Sequence, residues 1–200
     1  YKPGGTLTLD KIIKYKAKPL EYYIPDLPVG HWKFDGDAND SSGNNYHGTV
    51  SGATLTTSYD GTPNGAYSFD GSNDKVDLST HSNLFTFAGG FTFSTWVLFK
   101  TINTASGQTP NGYYPKLFDF TNSSGNWLSL HGGASGDADS DLRFTIYNSS
   151  SHYVTTTSNP LVINTWMHIT LTVNNSSRNV IIYKNGVSIL DTTIGGSYVE

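Results

Sequence analysis

The chain has 200 residues, no cysteine and a net charge of −4, and 14% of its residues are aromatic. Residues 31–200 carry seven Lys and Arg side chains against thirteen Asp and Glu, and nucleic-acid binding needs clustered cations, so a nucleic-acid partner is excluded. Without cysteine there is no disulfide framework or thiolate metal site, and no run of about 18 apolar residues predicts insertion into a membrane.

The first 28 residues differ from the rest of the chain. They hold five Lys and are interrupted by Pro19, Pro25 and Pro28, each of which biases the preceding residue toward extended backbone. They predict an extended arm or linker. Within this arm, TLTLDKIIKYK at residues 6–16 has strand character and can donate a strand to a sheet edge.

The remainder reads as a series of short strands. In FTFSTWVLFK, apolar residues at alternate positions from Phe91 to Phe99 share one face, and Met167 to Val173 alternate in the same way in TWMHITLTVN. Asn185-Gly186 between two apolar runs predicts a hairpin. Further strands are predicted at PKLFDF (115–120), NWLSLH (126–131), DLRFTIYN (141–148) and HYVTTT (152–157). The fold class predicted is all-β, a two-sheet antiparallel jelly-roll sandwich.

Five segments, taken in order, resemble a known family. HWKFDGDANDSSGNNYHGTVSGAT, GAYSFDGSNDKVDL, FTFSTWVLFK, NTWMHITLTVN and VIIYKNGVSI are similar to laminin G-like domains of the concanavalin A-like lectin/glucanase superfamily. The resemblance implies a laminin G-like sandwich over residues 29–200, usually a non-catalytic module that binds glycans or other proteins and often holds one structural calcium. Family members normally continue past the hairpin into a final strand with paired aspartates, so this sandwich is expected to lack its final strands.

The same superfamily includes glucanases that draw two glutamates from one strand. Hydrolysis with retention requires two carboxyl groups about 5 Å apart. This chain has two glutamates, Glu21 in the arm and Glu200 at its last position, so that mechanism is not available. We therefore expect no enzymatic activity.

Oxygen-rich segments raise the question of a metal. Calcium takes six to eight oxygen ligands, and the resemblance places the family's calcium in the DGDANDSSGNN loop, with Asp35, Asp40 and Asn44 as ligands. Asx turns alone also account for such a loop, so both interpretations stay open. A second acidic cluster, Asp137, Asp139 and Asp141, does not fit an EF-hand loop and predicts a solvated hairpin tip.

Sugar binding needs aromatic rings on which a pyranose can stack, flanked by hydrogen-bonding groups. Candidate glycan-binding residues are Tyr113, Tyr114, Trp127 and His131. The other tryptophans, Trp32, Trp96 and Trp166, lie within apolar runs and are expected in the core.

Acceptor motifs for N-glycosylation occur in predicted turns and suit an extracellular protein. They begin at Asn39, Asn122, Asn148, Asn174 and Asn175.

Two functions follow as alternatives. The first is a non-catalytic module on a cell surface, on a virion or in the extracellular space that recognises a glycan or an extracellular protein. The second is a structural subunit of a filament, fibre or capsid decoration, which self-associates through residues 6–16.

Overall fold

The computed structural model describes residues 28–81, 84, 89–101, 115–121, 125–132, 141–157 and 160–195. These residues form an all-β structure, as the sequence predicts. Its twelve strands are β1 Thr49–Ser51, β2 Thr54–Thr56, β3 Ala66–Ser68, β4 Lys75–Asp77, β5 Gly90–Val97, β6 Lys116–Thr121, β7 Trp127–Gly132, β8 Leu142–Tyr147, β9 Ser151–Thr155, β10 Met167–Asn174, β11 Asn179–Lys184 and β12 Val187–Thr193.

Two four-stranded antiparallel sheets dominate the fold, with strand orders β12-β11-β10-β5 and β6-β7-β8-β9. Two smaller two-stranded sheets pair β1 with β4 and β2 with β3. Phe118 of β6 contacts both Phe91 and Phe93 of β5, with ring centroids 6.2 and 4.7 Å apart. The two large sheets therefore face each other, and the predicted two-sheet sandwich is confirmed.

Strand alternation builds the core between these sheets. Leu128 and Leu130 of β7, like Ile169 and Leu171 of β10, are completely buried. Burying side chains of this size contributes roughly 1.5–3 kcal/mol each, so these inward positions fix the register of both sheets. The intervening residues of β6 to β9 must consequently face away from the core.

The predicted hairpin joins β11 to β12. Asn185 and Gly186 both have positive φ, at 51° and 79°, as a two-residue type I′ turn requires. Asn185 also ties the turn to β10, because its Oδ1 accepts from the backbone amide of His168 at 2.9 Å and its own amide donates to the His168 carbonyl at 2.8 Å.

The expected burial of three tryptophans is wrong for Trp96, whose side chain is 43% exposed. Strand alternation explains this, since Phe91, Phe93 and Val97 take the core face of β5 and Trp96 takes the other. There it stacks on Tyr59 with ring centroids 4.2 Å apart. Trp32 and Trp166 are half-buried.

The solvated tip predicted around Asp141 is also wrong for that residue, which is buried. Its Oδ1 accepts from the hydroxyl of Thr156 at 3.0 Å, and the same hydroxyl accepts from the backbone amide of Leu142 at 3.0 Å. Asp141 thus belongs to a buried junction between β8 and β9. Asp137, Asp139 and the segment 6–16, for which the sequence predicts strand character, lie outside the described residues.

The described residues contain no helix with the length and apolar character needed to cross a membrane.

Candidate functional site

The outward face of the β6–β9 sheet carries a continuous set of polar and aromatic side chains. Cross-strand register aligns them in rows: Ser129 of β7 pairs with Asp119 and Thr145, and His131 pairs with Lys116 and Arg143. The complete set is Lys116, Asp119, Thr121, Trp127, Ser129, His131, Arg143, Thr145, Tyr147, Ser151, Tyr153 and Thr155. We call this set the β6–β9 face.

A cleft of about 290 Å³ lies on this face. Its floor is formed by Ser129, His131 and Thr145, which are all buried. Trp127 and Tyr153 line the same cleft, and Tyr153 is 55% exposed. The cleft therefore combines a hydrogen-bonding floor with aromatic rings at its sides.

Each of these aromatic rings is fixed by a neighbour. Trp127 stacks on Tyr147 with ring centroids 5.7 Å apart and planes inclined by 8°. The guanidinium of Arg143 lies over the Tyr153 ring, 4.1 Å from its centroid. Because stacked and cation-supported rings lose little further freedom on binding, both are preorganised to receive a ligand.

The two cations of the face are themselves held in place. Lys116 lies 6.0 Å from the centroid of the Trp127 ring and forms an ion pair with Asp119. Arg143 donates from Nε to Thr155 Oγ1 at 3.2 Å. Charged donors and flat rings are thus placed together along one side of the sandwich.

Ser129 is the strongest candidate in the cleft for a hydrogen bond to a ligand. Its side chain is 1% exposed, and within the part of the chain that the structure describes its Oγ has no hydrogen-bond partner. Leaving a buried hydroxyl unsatisfied costs about 1–3 kcal/mol, and such groups are rare in folded proteins. A ligand in the cleft can supply the missing partner.

Two of the four residues predicted to bind glycan line this cleft. They are Trp127 and His131, which the structure places on the same face of β7. Tyr113 and Tyr114 lie outside the described residues. The sequence did not single out Ser129, Arg143 and Tyr153 as binding residues. Each lies at an outward position of a predicted strand, but only the pairing of β7, β8 and β9 shows that the three lie side by side.

The oxygen-rich loop is organised around Asp40, whose side chain is buried. Asp40 Oδ1 accepts from the backbone amides of His31 and Ser42, and Oδ2 from the Ser42 hydroxyl and the Tyr46 amide. Burial of the carboxyl group opposes ionisation, but these hydrogen bonds outweigh it and lower the pKa of Asp40 to about 2.

The fit of a calcium ion to this loop is partial. A carboxylate offers about four lone-pair positions, and the four hydrogen bonds to Asp40 use them. Asp35 is exposed, and Asn44 donates from Nδ2 to the carbonyl of Val29 at 2.9 Å. Among the described residues no three His, Asp or Glu side chains group closely enough to hold a metal. Calcium binding here stays a prediction, with Asp35, Asp40 and Asn44 as its ligands, and the Asp40 oxygens already accept four hydrogen bonds.

Of the predicted glycosylation positions that are described, Asn39, Asn148 and Asn175 fall in connecting segments and Asn174 is the last residue of β10. Asn39 is exposed in the loop after His31, Asn148 lies between β8 and β9, and Asn175 begins the turn between β10 and β11. Asn122 is outside the described residues. Their modification stays a prediction.

A second hollow, of about 470 Å³, opens where β5 and β11 begin and β10 ends. It is lined by Gly90, Thr92, Asn174 and neighbouring residues. The aromatic ring in its lining, Phe91, packs against Phe118 and Phe144 of the core. Among the residues that the structure describes, the lining of this hollow therefore offers no ring for stacking, and the β6–β9 face is the better candidate.

Comparison with known proteins agrees with this architecture. Among solved structures, the chain is similar to domain 4 of AbnA, a GH43 extracellular arabinanase from Geobacillus stearothermophilus solved in complex with arabinotriose. The TM-score is 0.58 and the identity 21%, over 82% of this chain and 74% of that one, so the likeness shows a shared fold. Curated proteins gave no match.

The family model Laminin_G_3, of the concanavalin A-like lectin/glucanases superfamily, matches residues 70–200. The chain belongs to this family.

Proposed function

We propose that this protein is a non-catalytic carbohydrate-binding module that acts outside the cell and holds a glycan across the β6–β9 face. The observation that carries the proposal is the buried hydroxyl of Ser129, which has no hydrogen-bond partner among the described residues and lies in a cleft lined by Trp127 and Tyr153. The cleft therefore offers aromatic rings on which a sugar can stack and a hydroxyl with which it can form a hydrogen bond.

The chemistry of sugars matches both parts of the cleft. The apolar face of a sugar ring stacks on flat aromatic side chains, while its hydroxyls require paired donors and acceptors. Ser129 Oγ can donate one hydrogen bond and accept others, as can the hydroxyl of Thr145 beside it on β8. A sugar hydroxyl over the floor would satisfy Ser129 and recover the cost of its burial.

The comparisons support the same function. The superfamily name describes lectins and glucanases, and the similar arabinanase domain was solved with a bound trisaccharide. An extracellular location is in keeping with that enzyme's printed description and with the acceptor motifs in the sequence.

The β6–β9 face suits binding better than hydrolysis. Glycoside hydrolysis generally uses a pair of carboxyl groups flanking the scissile bond. In the four described strands of this face the carboxyl group is Asp119, and it forms an ion pair with Lys116. We therefore propose binding without cleavage.

Glycan-array screening followed by titration calorimetry tests the proposal. Trp127→Ala and Tyr153→Ala should each weaken binding about five- to thirtyfold, since a stacking platform contributes of the order of 1–2 kcal/mol. Trp96→Ala is the matched control, because Trp96 is an exposed tryptophan on the other large sheet. Binding that depends on Trp96 but not on Trp127 or Tyr153 would contradict the placement of the site.

A further inference from the structure

The sequence contains Asn-Gly pairs, at which an asparagine can react with its own backbone. Glycine has no Cβ, so nothing on it hinders ring closure when its backbone nitrogen attacks the preceding amide side chain. The pairs are Asn64-Gly65, Asn111-Gly112 and Asn185-Gly186. Asn111 lies outside the described residues, whereas Asn64 and Asn185 are both described and both exposed. The surroundings of these two asparagines therefore decide which of them reacts in the folded protein.

Asn64 and Asn185 share a backbone conformation but not the environment of their side chains. The φ angle is 57° at Asn64 and 51° at Asn185. Asn185 is tied to β10 twice, because its Oδ1 accepts from the His168 amide at 2.9 Å and its own amide donates to the His168 carbonyl at 2.8 Å. In the part of the chain that the structure describes, the Asn64 side chain forms no hydrogen bond. Its amide carbon can therefore turn toward Gly65.

The segments that carry the two pairs also differ in local stability. Asn185-Gly186 joins β11 to β12 within a four-stranded sheet, in which Val180 and Ile182 of β11 are completely buried. Asn64-Gly65 lies in the connection between β2 and β3, two strands of three residues that form a two-stranded sheet. An isolated two-stranded pair is marginally stable in water, so the β2–β3 connection opens at a lower free-energy cost than the β11–β12 hairpin.

The nitrogen that would attack Asn64 is weakly held. The backbone amide of Gly65 donates to the carbonyl of Thr62 at 3.3 Å, which is longer than the usual range of about 2.7–3.2 Å for such bonds. Because this bond is long and its segment is exposed, it gives the pair little protection.

We propose that Asn64 is a site of self-modification, at which the folded protein converts asparagine to aspartate or isoaspartate while Asn185 reacts far more slowly. The backbone nitrogen of Gly65 attacks Asn64 Cγ and forms a new C–N bond. The Cγ–Nδ2 bond breaks, and ammonia leaves with the proton that the Gly65 nitrogen has lost. Water then adds to either carbonyl of the five-membered imide, and ring opening gives aspartate or isoaspartate. Water is the only co-reactant.

The modification would loosen a contact between two loops. The carbonyl of Asn64 accepts from the backbone amide of Gly36 at 2.9 Å, which ties the oxygen-rich loop to the β2–β3 connection. Isoaspartate adds one methylene group to the main chain and so displaces this carbonyl from its donor. The same connection carries Tyr59, whose ring stacks on Trp96. Formation of isoaspartate should therefore weaken the attachment of this connection to the sandwich.

Ageing of the full chain at mildly alkaline pH tests the site, since the attacking nitrogen must lose its proton. Peptide mass spectrometry after incubation in heavy-oxygen water measures conversion at each asparagine, in folded and in denatured protein. In the denatured protein Asn64 and Asn185 should react at similar rates. In the folded protein Asn64 should react about tenfold or more faster, because the two hydrogen bonds of Asn185 must first break. Equal rates in the folded protein, or a faster Asn185, would overturn the proposal.

A variant isolates the consequence for stability. Asn64→Gly removes the reacting side chain and accepts the positive φ without strain, so its thermal midpoint should change less on ageing than that of the original protein. Ageing should lower the midpoint of the original protein by about 2–4 °C more, the equivalent of one lost hydrogen bond. Asn111 reacts in both proteins, so the comparison cancels its effect. Asn64→Asp carries the new charge on an unaltered main chain and should lose less than the aged protein. Equal changes on ageing in the original protein and in Asn64→Gly would contradict the loss of the link to Gly36.

Discussion

The Asp40 carboxylate accepts a 2.8 Å hydrogen bond from the backbone amide of His31, nine residues earlier in the chain. The same carboxylate also holds Ser42 and Tyr46, so it closes the entire loop around one buried negative charge. Four donors on one carboxylate make this loop a structural unit in its own right, and its stability should depend on the ionisation of a single group.

The first prediction concerns that ionisation. The folded-state pKa of Asp40, about 2, lies below its ordinary value of 3.8. A depressed pKa means that the charged form is favoured by folding, so the stabilisation is fully present above about pH 4 and is lost as pH falls toward 2. The contribution is about 2 kcal/mol, and denaturant unfolding measured across this pH range should show it.

Asp40→Asn provides the test by substitution. It should cost about 2–3 kcal/mol in unfolding free energy at neutral pH and flatten the acid dependence, because an amide nitrogen cannot accept the hydrogen bonds made to one of the two oxygens. Asp37→Asn is the control, since Asp37 is exposed in the same loop and bonds only with Asn39 in the described contacts. Equal losses in the two variants would argue against a special role for Asp40.

The second prediction tests calcium at the same loop. If Asp35 and Asn44 contribute ligands, excess calcium should raise the thermal midpoint by mass action, equivalent to about 2.7 kcal/mol at one hundred times the dissociation constant. Magnesium should act more weakly, because it demands stricter geometry. Asp35→Asn should reduce the shift. The same thermal midpoint in excess calcium and in excess chelator would contradict the prediction.

The positions of the strands could be predicted from the sequence, because a strand with one buried face alternates apolar and polar residues. The run from Met167 to Val173 was assigned to the core face correctly, and each of its apolar residues is buried. The same rule, applied consistently, would have placed Trp96 outside, because its neighbours two positions apart on β5 point outward with it. The general tendency of tryptophan toward the core misled the prediction.

The set of residues that lines the cleft was harder to predict from the sequence. Trp127 and His131 share a strand, and local spacing was enough to relate them. Arg143 and Tyr153 reach the site only through the order of β7, β8 and β9, and Lys116 only through a one-residue bulge. Pairing order and bulges depend on the packing of the entire sandwich, which no short segment of sequence encodes.

The third prediction concerns Thr156, which is fully buried where β8 meets β9. Its hydroxyl joins the Leu142 amide to Asp141, so Thr156→Val should cost about 2–3 kcal/mol by removing both contacts while keeping the shape. Thr156→Ser keeps the hydroxyl and should cost less, about 1 kcal/mol for the lost methyl group. Chemical denaturation of the three proteins gives the comparison, and a serine variant as unstable as the valine variant would contradict it.

The last prediction uses two adjacent glycines before β5 and at its start. Gly90 has φ of 117° and pairs with Asn174, and a Cβ at Gly90 would lie 2.1 Å from the carbonyl oxygen of Val173. A backbone carbonyl cannot move aside as easily as the end of a flexible side chain. Gly90→Ala should therefore destabilise the protein by about 3 kcal/mol or more, through the clash with this carbonyl and the strained φ of an alanine at this position. Gly89→Ala is the matched control, because a Cβ there meets no described atom within 4 Å and the φ of Gly89 is not in the left-handed region. Thermal unfolding should therefore separate two alanine variants one residue apart, and equal midpoints would show that β5 can shift away from β10 at little cost.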